Sequence, residues 1–199
     1  LHFGQIGALE AARAVHQAGA PEGDREAFLE QLIVRRELAF NHAWFNPDYD
    51  RYAGLPAWAR RTLADHAGDP RRPCYGPERL EAAETGDPYW NAAMTDMRER
   101  GFLPNYLRMY WGKKILEWVA GPEEAFFTVL SLNNRYFLDG RDANAYANVG
   151  WCFGLHDRGW PERPVFGKVR YMNARGLRRK FPIDRYVQRV LGDVPEEEP

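Results

Sequence analysis

Apolar residues recur at helical spacing along most of the 199-residue chain, and turn-forming residues separate one run from the next. Ile6, Leu9, Ala12 and Val15 predict a helix over 5–17, stopped by Gly19. Asp24 is a candidate cap for a long helix over 25–45, whose apolar positions include Phe28, Leu32, Ile33, Leu38 and Phe40. Asn46-Pro47 ends it, because the residue before proline is pushed out of helical geometry. Pro56 suits the first turn of a helix to about residue 67. The stretch 68–76, with Pro70 and Pro73 between glycines, reads as a loop, and a short helix over 77–84 follows.

The second half is patterned more sharply. Asp87-Pro88 is a cap and first-turn pair for a helix over 89–100, which Gly101 closes. Further helices are expected over 105–119, over 122–130 with Glu123 and Glu124 in the first turn, over 144–155 and over 184–191. Only 164–172 alternates, weakly, as an extended segment or small hairpin would. Glu196 to Glu198 reads as a frayed acidic tail. The expectation is one all-α domain spanning 1–199, with no internal repeat and no linker.

Composition changes this picture in two places. Aromatic residues make up 14% of the chain and include seven tryptophans, a high share for a chain this short, which either packs a core of large rings or lines a ligand site or carries electrons. Net charge is only −1, but ten Lys or Arg stand against three acids between His156 and Arg189, a local net charge of +7. Such a patch suits a phosphate backbone, or a solvated face. Hydrophobic and charged residues, at 45% and 28%, exclude a disordered chain. Cys74 and Cys152 are too few and too far apart for a disulfide framework or a CxxC metal pair. The five histidines show no HExxH spacing, and neither a GxSxG nor a Walker loop occurs. These spacings give no metal site, and no apolar run is long enough to span a membrane, so neither a metal nor a membrane partner is expected. His156-Asp157 could act as a general acid–base pair, though a structural hydrogen bond is the commoner use of such a pair.

Within Asn105–Trp118, Trp111 and Trp118 stand seven residues apart, on one helix face and about 10 Å along the axis. Taken alone, such a pair is more often core packing than a path for electrons. Gly112 inside the same helix marks close approach of another element.

The strings carry a more specific signal. LRMYWGKKILEW at 107–118, LNNRYFLDGRDANAY at 132–146 and LHDRGWPERPVFGKVRYMN at 155–173 resemble the signature blocks of class II cyclobutane pyrimidine dimer photolyases. LIVRRELAFNHAWFNPDYD at 32–50 and the opening LHFGQI also resemble them, and the blocks run in family order along nearly the whole chain. The resemblance implies the helical FAD-binding domain of the photolyase/cryptochrome type. It implies light-driven repair, in which reduced FAD gives an electron to a flipped-out pyrimidine dimer in UV-damaged DNA.

It also implies roles for single residues. Trp90, Trp111 and Trp118 match the electron-carrying tryptophans, and Arg108 and Asp139 match an Arg–Asp pair beside the flavin ring. A guanidinium there favours a reduced, anionic ring. Asn133 matches the asparagine facing flavin N5, where an amide can donate or accept. Glu37, Met109 and Trp151 match residues at the lesion, and the carboxyl of Glu37 would need burial for that role. Arg35, Asp139 and Asp142 are candidate FAD contacts, and Lys168, Arg170, Arg175 and Arg178 are candidate phosphate contacts.

Departures qualify the likeness. Gly7 to Glu10 stands where the family carries an SPQR-like string, and Phe102 to Asn105 replaces its usual approach to the key helix. The chain opens on Leu1, so the resemblance implies an incomplete domain: the FAD phosphate contacts and an antenna-bearing α/β domain would lie upstream. A monomer, cytoplasmic if bacterial, is expected. A cryptochrome-like light sensor and a flavin-free helical DNA-binding module are the competing readings.

Overall fold

The computed structural model describes residues 1–192, so the acidic run at 196–198 lies outside the described residues. Eleven α-helices make up the fold among those residues, and no strand is present. The expected all-α architecture is therefore borne out. The alternating segment near 164–172 is a tight turn closed by an isolated antiparallel bridge between Arg163 and Gly167.

Helices α6 (Pro88–Arg100), α7 (Asn105–Trp118), α8 (Pro122–Tyr136) and α9 (Ala143–Cys152) form the centre. The chain enters α6 through Asp87, whose carboxylate accepts from the Tyr89 and Trp90 backbone N–H groups at 3.0 and 3.1 Å. It leaves through Gly101 at φ +68°, a left-handed cap that glycine adopts without strain. Helix α7 packs against α6, α8, α9 and the short α10 (Ala174–Lys180). Its buried residues include Leu107, Tyr110, Trp111, Ile115, Leu116 and Trp118. Burial on this scale stabilises the fold by roughly 1.5–3 kcal/mol per large side chain. Gly112 permits the approach of α9: a Cβ there would stand 2.7 Å from Cys152 Sγ.

The remaining helices surround this centre. They are α1 (Ala8–Gln17), α2 (Glu22–Leu29), α3 (Arg36–Phe45), α4 (Ala57–Asp65), α5 (Pro77–Glu81) and α11 (Ile183–Leu191). The helix expected over 25–45 is realised as α2, a π-helical turn at Glu30–Arg35, and α3 in unbroken succession. It begins after Pro21, so Asp24 sits in the first turn and is not the cap. Pro56 likewise precedes α4 as its cap residue. The apolar faces of the first three helices stay open: Leu9, Phe28, Ile33 and Phe40 are all exposed, and only Leu32 and Ala39 are buried.

Two differences from the sequence-based expectation matter for function. Helix α8 runs to Tyr136 rather than stopping near residue 130, because Leu132 and Asn133 are buried and packing overrides the local turn propensity of the Asn pair. The basic run near 175–180 is itself helical, capped by the Asn173 side chain, which accepts from Gly176 N–H at 2.7 Å.

Candidate functional site

Arg108 projects from the second turn of α7 toward the end of α8. One terminal nitrogen donates to both carboxylate oxygens of Asp139, at 3.0 and 2.8 Å. The other donates to Asn133 Oδ1 at 2.6 Å. The guanidinium also lies over the Phe137 ring, 3.7 Å from its centroid. Salt bridge, amide bond and ring together fix the plane of a side chain that is otherwise flexible. Asn133, only 1% exposed, passes the constraint on through its Nδ2, which donates to Asn134 Oδ1 at 3.1 Å. The extension of α8 is what brings Asn133 here.

This triad lies where two hollows meet. A cleft of about 590 Å³ is lined by Arg35, Arg108, Met109, Asp139 and His156, among others. A small cavity of about 20 Å³ is lined by Arg108, Met109, Trp111, Asn133, Trp151 and Cys152. Arg108 and Met109 belong to both, so the two are contiguous. Trp111 Nε1 is buried without a hydrogen-bond partner. This orphaned donor lines the small, mostly apolar cavity, and the contiguous cleft has the room for a cofactor-sized group with acceptor atoms.

The three candidate tryptophans converge, but not in the arrangement helix geometry suggested. Trp118 meets Trp90, not Trp111, with ring centroids 5.6 Å apart. Trp90 Nε1 in turn donates to the Trp111 carbonyl at 3.0 Å. Trp90 therefore bridges the two α7 tryptophans. All three are buried, Trp118 at 3% exposure being the least so. Tyr75, which the sequence did not single out, stands edge-on to Trp118 at 5.3 Å.

Other candidates fare differently. Glu37 is 61% exposed at its side chain and accepts from Arg36 at 2.8 Å, so the burial its lesion role requires is absent here. Asp142 is committed elsewhere: one oxygen caps α9 through Asn144 N–H at 2.9 Å, and the other pairs with His2 at 3.0 Å. Arg35 reaches the cleft while lying 3.3 Å from Glu30.

Among the four basic candidates, Lys168 and Arg175 are exposed. Arg178 donates to the Tyr89 hydroxyl and lies 3.8 Å from Asp184. Arg170 is held by both oxygens of Asp157, at 2.9 and 3.2 Å, and stacks between Trp151 and Trp160 at 5.2 and 4.3 Å. It braces the wall of the site rather than projecting toward a phosphate.

The acid–base pair considered at His156-Asp157 does not form. Burial alone would raise Asp157, but bonds from Arg170, the Arg158 backbone and Trp160 outweigh it and hold the carboxyl below the usual range. His156 faces His42 at 5.7 Å, and burial together with the Arg35 charge pulls its pKa down. Sequence reasoning also missed Lys113. In sequence the Lys113-Lys114 doublet looks like a solvated helix face. In the structure Lys113 is wholly buried, and burial pulls its pKa to about 8.

No group of three metal-ligating side chains is present among the described residues, and no described helix is long and apolar enough to cross a membrane. A scan against protein-family models finds no match. Similarity to individual proteins is extensive. The chain is 54% identical over 197 residues to a protein of Methanothermobacter thermautotrophicus named deoxyribodipyrimidine photo-lyase. That match takes in 98% of this chain and 43% of the relative. Proteins of the same name from Oryza sativa and Potorous tridactylus are 51% and 44% identical over 96% and 95% of the chain. These matches cover 38% and 36% of the two relatives. The chain thus spans about two fifths of the length of the curated relatives it matches, and over nearly all of its own length it is similar to deoxyribodipyrimidine photo-lyases.

Proposed function

We propose that this chain is the flavin-facing part of a class II deoxyribodipyrimidine photo-lyase, which splits cyclobutane pyrimidine dimers in UV-damaged DNA under light. The observation that carries the reading is the convergence of Arg108, Asp139 and Asn133 where the cleft and the small cavity meet, with Trp111 lining that cavity and Trp90 and Trp118 behind. The extensive similarity to proteins of that name supports it.

FAD, when bound and reduced, supplies the light-excited electron for the dimer. Arg108 contributes a fixed positive charge beside the ring, which favours an anionic reduced state, and Asp139 keeps that charge in place. Asn133 presents an amide able to donate or accept as the ring changes protonation. Arg35 lines the same cleft and would meet an anionic portion of the cofactor there. Met109 and Trp151 offer an apolar wall for a pyrimidine dimer flipped out of the duplex. Glu37 serves the lesion only if DNA or another part of the protein covers it. Lys168 and Arg175 are the better placed of the four phosphate candidates.

The test is the visible spectrum of the full-length protein, followed by loss of thymine dimers from DNA under blue light. A flavin spectrum with light-dependent loss of dimers supports the reading. A flavin spectrum without repair points to the cryptochrome-like sensor, and a colourless protein contradicts both.

A further inference from the structure

Trp111 and Trp151 line the same small cavity, alongside Arg108 and Asn133. On the flavin reading above, both indoles stand next to the ring and either is able to give it an electron. Their electrostatic settings differ. The buried Lys113 ammonium lies 4.9 Å from the centroid of the Trp151 ring and donates to the Cys152 carbonyl at 2.7 Å. Among the described residues it has no carboxylate within salt-bridge distance, and the other cations near these indoles do. Lys114, 5.3 Å from Trp118, pairs with Glu117 at 2.9 Å. Arg170, 5.2 Å from Trp151, pairs with Asp157 at 2.9 Å. No cation lies over Trp111 among the described residues; its ring neighbour is Phe137, 5.9 Å away.

An indole that loses one electron becomes a radical cation. A positive charge fixed over its face opposes that state, and it does so more strongly in a dry interior than in water. We propose that Lys113 keeps Trp151 out of the electron path, so that the electron is drawn from Trp111 and replaced through Trp90 and Trp118. Trp151 then remains an inert wall for the substrate. In the step concerned one electron leaves the Trp111 indole and enters the light-excited oxidised flavin, and no bond breaks. This inference rests on the flavin reading.

Lys113 also offers a control that needs no substitution at its own position. With its pKa pulled by burial to about 8, it is mostly charged at neutral pH and loses its charge above that. The groups facing it are the Cys152 thiol, which burial pushes up, and, farther off, Asp157 and Arg170, which act on it in opposite directions.

The experiment is transient absorption of the tryptophan radical in full-length, flavin-loaded protein excited in its oxidised form. Trp111→Phe is expected to give little radical at neutral pH and up to about tenfold more near pH 9, following the neutral fraction of Lys113. Trp111→Phe with Lys113→Met should show the high yield at neutral pH, and adding Trp151→Phe should remove it. A Trp111→Phe yield that stays flat with pH and does not respond to Lys113→Met overturns the proposal. A second readout needs no flavin: the lysine side-chain NMR signal missing from Lys113→Met should titrate near pH 8. A Lys113 side chain already neutral at pH 7 would overturn the proposal as well, because no positive charge would then face Trp151. A full-length protein holding no flavin overturns both this inference and the reading beneath it, whereas failure in flavin-loaded protein overturns this inference alone.

Discussion

Lys113 illustrates how a single side chain can be expensive and retained. Taking an ammonium out of water without a carboxylate partner costs several kcal/mol, and one backbone carbonyl repays part of it. The cost is visible in linkage. The folded chain holds this proton less tightly than the unfolded chain, where lysine titrates near its ordinary value of 10.5. Between about pH 8 and 10.5 the unfolded state therefore binds more protons, and stability contributed at this site rises with pH. The gain approaches about 3 kcal/mol once the pH passes the unfolded value. Lys113→Met should abolish that rise, and urea denaturation of both proteins at several pH values is the check. A rise of the same size in the variant would place its origin elsewhere. Arg108 is the contrasting case. Its charge is distributed over Asp139, Asn133 and the Phe137 ring, so it is held and oriented at once.

At the scale of elements, α7 decides the site, because it carries Arg108 and Met109 to the cleft and Trp111 to the adjoining cavity, and two turns on it buries Trp118 in the core. Its contact with α9 depends on Gly112. Alanine there gains up to about 1 kcal/mol of helix propensity, but its Cβ would meet Cys152 Sγ at 2.7 Å. Gly112→Ala should lower stability by a net 1–2 kcal/mol or so, through overpacking, and thermal melts should show a reduced Tm. An unchanged or higher Tm would mean that α9 moves aside freely. The glycine was legible in the sequence as a point of close approach, and so were the helices bounded by Asp87, Gly101 and Pro122, since caps and breakers act locally. What was not legible depended on packing. The Asn133-Asn134 pair looks like a turn, yet burial carries α8 through it. Trp118 looked like the neighbour of Trp111, yet the ring it meets arrives from α6. Glu37 and Asp142 carry the right chemistry for their expected roles but are engaged at the surface and at a helix cap.

At the scale of the whole molecule, the buried tryptophans connect two regions. One end is the cleft lined by Arg108 and Asp139. The other, at Trp118, borders a separate hollow of about 450 Å³ that includes Tyr75, Tyr89 and Arg178. The account assigns the two ends separate duties. On the proposed function, substrate and flavin would meet at the first, and electrons that reset an oxidised flavin would arrive from the second. Trp118→Phe separates these duties, because it interrupts the path while leaving the cleft and its Arg108 triad untouched. The deciding measurement is blue-light loss of thymine dimers by the full-length protein, wild type and Trp118→Phe side by side, each started from reduced and from oxidised flavin. The account predicts near-equal repair by both when pre-reduced, and repair by the wild type alone when started oxidised. Loss of repair by the pre-reduced variant, or no light-dependent repair by the pre-reduced wild type, would contradict it.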